Sequence, residues 1–182
     1  MDADWSSTTL RHLANTDELV AVRAHAELMD AQHPFLMFFD PEEPWRNYLA
    51  RLEGYRHGKH LLDRMVPATF LVAVHNDEIV GRVHIRHELN DQLRYWGGHI
   101  GYVVRPRFRR RGYATEILAM ALQYAKRLGV GDRALLTCDD SNQGSIAVIE
   151  RCGGELERST PATVDHPARR YYWIPLGLEV AI

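Results

Sequence analysis

The order of periodic segments predicts one α+β domain across residues 1–182, in which strands pack under a few amphipathic helices. Three observations carry this. Two β-rich runs and a third follow one another over residues 68–104 with only short polar breaks, as in an antiparallel meander. Residues 93–138 then read strand, long helix, strand, an order that takes a right-handed crossover and implies a parallel pair. The composition, 46% hydrophobic and 25% charged over 182 residues, is that of an ordinary globular chain long enough for one core without staples.

Element by element, "TTLRHL" (8–13) alternates as a short strand does. Residues 16–30 follow an "NTDE" capping start, and Leu19, Val22, Ala26 and Met29 recur at helical spacing. "HPFLMFFDPEEPW" (33–45) sets three prolines among large apolar residues, so a packed loop is expected, leading into a helix over 45–55. Residues 68–89 form two strands around Asn76 and Asp77, a hairpin turn pair. After a polar turn at 90–92, residues 93–104 are expected as the third strand. From Gly112, the residues Ile117, Leu118, Ala121, Leu122, Ala125 and Leu128 mark one face of a helix that stops at Gly129. "RALLTC" (133–138) is a buried strand. "DDSNQGSIAVIERCGG" is a capped short helix, and "ELERST" and "RRYYWIPL" complete the sheet.

Charge narrows the function. Lys and Arg total 22 against 24 Asp and Glu, yet "RPRFRRRGYATE" (105–116) places Arg105, Arg107, Arg109, Arg110 and Arg111 within seven positions. A basic run in a slightly acidic protein suits a local anion site better than a surface that coats nucleic acid, and no nucleic-acid partner is expected. Cys138 and Cys152 form no CxxC and no disulfide framework, in keeping with a reducing cytoplasm. No apolar run approaches the roughly 18 residues of a membrane helix, and "MDADWSS" lacks the character of a signal peptide. The expectation is a cytoplasmic protein without a membrane partner, a monomer or homodimer.

The turn ahead of the long helix supplies an anion-binding chemistry. N–H groups at a helix start have no intrahelical acceptor, and the dipole places about half a positive charge there. Gly112 lets main chain approach a phosphate with no Cβ in the way, and Ala114 keeps the next turn small. The flanking arginines add a steering field. A pyrophosphate is the expected guest; a merely solvated charged face is the competing reading.

The segments "HIGYVVRPRFRRRGYATEILAMAL" and, some thirty residues on, "TCDDSNQGSIAVIERCGG" together resemble the core of the GNAT superfamily of N-acetyltransferases, over residues of about 98–155. The first resembles the family's Arg/Gln-x-x-Gly-x-Gly/Ala coenzyme-binding signature and the second its asparagine-containing segment. The resemblance implies a mixed, mostly antiparallel sheet of six to seven strands flanked by about four helices, whose parallel fourth and fifth strands splay apart. It implies acetyl-CoA as co-substrate, without a metal, and transfer of the acetyl group to a primary amine by direct attack in a ternary complex. A noncatalytic acyl-CoA-binding or sensing module of the same fold is the alternative. By the same likeness Arg109, Arg110, Arg111, Gly112, Tyr113, Ala114 and Thr115 would hold the pyrophosphate. Main chain of Tyr102, Val103 and Val104 would pair with the pantetheine arm, and Asn142 and Ser145 would touch the cofactor.

Acetylation of an amine needs a proton acceptor, because an alkylammonium of pKa near 10.4 cannot attack. His99, which stands where family members often carry a glutamate, is expected as that base, with Glu88 second. Family members often use a tyrosine to protonate the leaving thiolate, but Ile149 occupies its place; protonation by solvent, Ser145 or Tyr102, or release of the thiolate unprotonated, remain. His84 and His87, three apart on a strand, point to opposite faces and are not expected to share a metal. The acceptor is a small-molecule or peptide amine. Phe38, Phe39, Trp45 and Tyr171 could form an apolar wall, and Asp40, Glu42, Glu43 and Asp165 could attract a cation.

Overall fold

The computed structural model describes residues 8–28 and 34–177. The end of the first expected helix (29–30) and the opening "MDADWSS" therefore lie outside the described residues. The strands are β1 (Thr8–Arg11), β2 (Ala68–His75), β3 (Glu78–Arg86), β4 (Ile100–Val104), β5 (Arg133–Asp139), β6 (Glu155–Thr160) and β7 (Arg169–Pro175). The helices are α1 (Glu18–Ala26), α2 (Trp45–Arg56), α3 (Asp91–Tyr95), α4 (Tyr113–Leu128) and α5 (Gln143–Arg151).

The strands form two sheets, β1-β2-β3-β4 and β5-β7-β6, with every ladder antiparallel. Asn76 and Asp77 both take positive φ, 47° and 62°, which is the backbone twist that suits a two-residue hairpin between β2 and β3. Val83, Ile85, Ile100 and Val104 meet Ile117, Leu118, Ala121 and Leu122 of α4 in one core, which continues into β5 and α5 through Leu136 and Ile149. On the other side of the first sheet, Phe70, Val72 and Ile79 pack against Ala21 and Ala24 of α1, Tyr48 of α2, and Phe35 and Leu36 of the connecting loop.

Three expectations are corrected. Residues 91–95 are helix, not strand, because the Asn90 side chain accepts the Leu93 N–H at 2.9 Å and caps α3. Gly97 and Gly98, with φ of 111° and 63°, then turn the chain, so β4 begins only at Ile100. The apolar face assigned to α1 is also rotated: Leu19 and Val22 are exposed, and the buried stripe is Ala21, Ala24 and Leu28. Finally, no parallel ladder joins β4 to β5 among the described residues. They are edges of different sheets, tied by one antiparallel bridge between Gly98 and Leu136.

Candidate active site

That single tie opens a cleft. At its closed end His99 N–H donates to Leu135 O at 2.7 Å, Leu135 N–H donates to His99 Nδ1 at 2.9 Å, and Gly97 N–H donates to Thr137 Oγ1 at 3.1 Å. Gly98 is required here: a Cβ on it would lie 2.3 Å from Leu135 O. Beyond this staple, residues 100–104 are paired to β3 alone, so the far edge of β4 is available to an extended guest. Tyr102, Val103 and Val104, the residues expected to meet the pantetheine arm, stand on that edge.

Past β4 the chain makes a 3-10 turn (Pro106–Phe108) and reaches α4. The arginine run divides there. Arg105 is buried and forms an ion pair with Glu27 at 2.5 Å, so it is committed within the chain, whereas Arg107 pairs with Glu78 at 2.9 Å on the exposed surface. Arg109 holds the carbonyl of Val104 through Nε at 3.2 Å, while Arg110 and Arg111 are exposed at the mouth of the helix. Gly112 is the N-cap, with φ of 88° and no side chain to occupy the first turn. Among the described residues, no acceptor within the chain takes the N–H groups of Arg110, Arg111, Gly112 or Ala114; Thr115 N–H folds back to Gly112 O at 2.9 Å. Unclaimed amides, an αL glycine and exposed guanidiniums fit a diphosphate.

α5 faces this region. Asn142 Oδ1 accepts the Ser145 N–H at 3.0 Å, so the asparagine caps α5 and has its amide nitrogen left for a guest. The Tyr102 hydroxyl is buried with no hydrogen-bond partner of good geometry; burial pushes its acidity down, and Ser145 close by eases it slightly. Ile149 is buried in the core. Burial also pushes both cysteine thiols up to about 11, the behaviour of core thiols and not of nucleophiles.

The two expected bases fare differently. His99 is buried, and burial, then Arg94 and Arg86, pull its pKa down to about 4. Its Nδ1 lone pair already takes a backbone N–H, which leaves the proton on Nε2, so the ring as placed offers a donor to the cleft and no vacant lone pair. Glu88 is exposed beyond the end of β3, with no contact to His99. In the expected acceptor wall, Asp40 caps its own loop at Glu42 N–H and Glu43 pairs with Arg51, so those acids serve the loop's structure. His84 and His87 are separated as expected: His84 is buried within β3, and His87, past its end, bonds Thr69 Oγ1.

Missed in the sequence is a row of basic side chains on one face of β3. Arg82, His84 and Arg86 alternate with Val83 and Ile85, so they leave the α4 core and face the side of α1 and α2. Arg82 Nε, Nη1 and Nη2 donate to Phe35 O, Gly101 O and Pro34 O, and Arg86 Nη1 donates to Gly97 O and Gly98 O. The signal was the period-2 spacing of bases in "GRVHIRHEL".

An open edge beside an amide-lined turn is suited to an extended guest that carries a phosphate. Residues 25–154 match the model of the acetyltransferase (GNAT) family, and the chain belongs to that family. Solved structures share the fold. RimJ of Mycobacterium smegmatis in complex with CoA-disulfide is 21% identical, with a TM-score of 0.66 over 92% of this chain and 81% of that one. The acetyltransferase yncA of Salmonella typhimurium, described as putative and solved with acetyl-CoA, is 19% identical with a TM-score of 0.62, covering 96% and 97%. A spermidine N-acetyltransferase SpeG chimera from Vibrio cholerae and hSSAT is 16% identical with a TM-score of 0.60, covering 93% and 96%. No protein of curated function matches the sequence. Among the described residues no helix is long and apolar enough to cross a membrane.

Proposed function

We propose that this chain is a single-domain, cytoplasmic N-acetyltransferase that moves an acetyl group from acetyl-CoA to a primary amine within a ternary complex. The observation that carries it is the pairing of an unfilled sheet edge at β4 with the unclaimed amides of Arg110, Arg111, Gly112 and Ala114, in a chain of the acetyltransferase family. The solved relatives with CoA-disulfide or acetyl-CoA bound support the choice of guest. When bound, acetyl-CoA supplies a thioester carbonyl for the amine to attack and leaves as a thiol.

The residues divide the work. Amides of Arg110, Arg111, Gly112, Tyr113 and Ala114 hold the diphosphate, assisted by the side chains of Arg109–Arg111, and Asn142 Nδ2 and Ser145 lie along the same path. Main chain at Tyr102–Val104 aligns the pantetheine arm as an added strand, and N–H near Val103 steadies negative charge on the acetyl oxygen. With Ile149 in the core, the departing sulfur takes its proton from water, since burial makes the Tyr102 hydroxyl a weaker acid than a thiol. His99 is reassigned from base to staple, since its lone pair is occupied. The amine therefore arrives neutral or loses its proton to water admitted by the cleft.

A free-thiol release assay with acetyl-CoA across a panel of amines tests this reading. Thiol release above the rate of acetyl-CoA hydrolysis is expected with at least one acceptor. Tight coenzyme A binding without release to any amine would make the chain an acyl-CoA sensor instead.

A further inference from the structure

The arginines of β3 are unlike the other buried arginines. A buried guanidinium ordinarily sits against a carboxylate, since an uncompensated charge away from water is costly. Arg105 has Glu27 at 2.5 Å and Arg169 has Asp139 at 2.6 Å. Arg82, 4% exposed, and Arg86 beside it have no carboxylate within ion-pair distance among the described residues; their acceptors are all backbone carbonyls. A guanidinium carries five N–H donors. Among the described residues, one hydrogen on each terminal nitrogen of Arg82 finds no acceptor, nor do the Nε–H and Nη2 hydrogens of Arg86. Burial, and for Arg82 the neighbouring Arg86, pulls the two pKa values down to about 9 and about 10, the mark of charge held without compensation.

His84 lies between them on the same face. It is 8% exposed, and its Nδ1 has no hydrogen-bond partner among the described residues. Burial, Arg86 and Arg82 hold its pKa well below the ordinary value, so it is neutral and can present an N–H. His84 pairs across the sheet with Gly101, whose carbonyl Arg82 binds, next to the β4 edge assigned to the pantetheine arm. The groups thus converge beside the reacting end of the cleft, where the acceptor amine has to stand.

Resting on the acetyltransferase reading, we infer that the acceptor carries a carboxylate close to its amine, as an amino acid does, and that Arg86 and Arg82, with His84 between them, receive it. The arrangement supplies two cations and a neutral donor with no acid facing them among the described residues, so it attracts an anion and repels a polyamine.

The test compares L-amino acids with their carboxamides in the thiol-release assay. The amide has the less basic amine and so more of the neutral nucleophile at pH 7, which works against the expected preference. The best amino acid is expected to exceed its amide in kcat/KM by at least about tenfold. Arg86→Met should bring that ratio to within about threefold, with coenzyme A affinity and the thermal midpoint reporting an intact fold. Equal use of acids and amides, or a ratio that survives Arg86→Met, overturns the inference. A binding arm needs no turnover: in the coenzyme A complex the Arg86 Nε–H resonance should shift with glycine and not with glycinamide. A shift without thiol release would defeat the acetyltransferase reading and leave the carboxylate site standing; release to plain amines with no such shift would do the reverse.

Discussion

Arg82 on β3 and Arg105, just past the end of its partner strand β4, are both buried arginines of the first sheet, and they do different work. Arg105 donates to Glu27 through two nitrogens and to Ile79 O through the third, which ties the end of β4 to α1 and the edge of β3. Arg82 donates to three carbonyls and has no carboxylate within ion-pair distance among the described residues. A guanidinium with a carboxylate closes a structural contact; a guanidinium without one holds attraction in reserve for a ligand. The comparison teaches that charge balance, more than burial, separates the arginines that hold the fold from those that face the chemistry.

Breaking the paired member should cost the most stability. Glu27→Gln leaves Arg105 buried without its counter-ion, and a loss of about 2–3 kcal/mol is expected, reduced from that of a fully buried pair because Glu27 is partly exposed. Arg86→Met removes an uncompensated charge and should stay within about 1 kcal/mol of the parent. Urea melts of both variants check the contrast, and equal losses would erase it.

At the cofactor turn, Gly112→Val forces a β-branched residue into φ of 88° and places its side chain where the amides meet phosphate. Coenzyme A affinity should fall by about 10- to 100-fold while the core packing is kept. Calorimetric titration reads the change.

His99→Asn sharpens the assignment of the staple. Asparagine Oδ1 can accept the Leu135 N–H in place of Nδ1, so kcat should fall by less than about tenfold with its pH profile unmoved. A general base would lose about 100- to 10,000-fold and its acid limb with it. The pH dependence of stability follows from the same group. His99 titrates at about 4 in the folded chain against 6.5 when free, and His84 is shifted the same way, so between these values the unfolded chain binds more protons. Their contribution is fully present above pH 6.5 and is lost as pH falls toward 4. Thermal midpoints should therefore drop across pH 6.5 to 4.5, by less in His99→Asn.

Much of this was legible before the fold was known. The spacing of Ile117, Leu118, Ala121 and Leu122 between Gly112 and Gly129 specifies α4 with its ends, because a single amphipathic face and two glycines at αL positions leave few alternatives. Asn76-Asp77 marks its hairpin for the same local reason. What local pattern could not show was set by distant partners. Residues 93–95 look extended by composition, but the Asn90 cap and Gly97 decide otherwise. The stripe of α1 was misjudged because small alanines, not Leu19 and Val22, meet the aromatic loop. The five-arginine run read as one feature, yet Glu27, 78 residues away, withdraws Arg105 from it. Arg82 and Arg86 drew no notice because their lack of an acid is a property of the packed molecule and not of any window of sequence.

The amide resonances of residues 110–114, followed while the protein is titrated with coenzyme A and separately with pantetheine, test the central claim most directly. The account predicts that coenzyme A, which carries the diphosphate, moves the Gly112–Ala114 amides strongly and that pantetheine does not. Tight coenzyme A binding that leaves those amides where they were would contradict it.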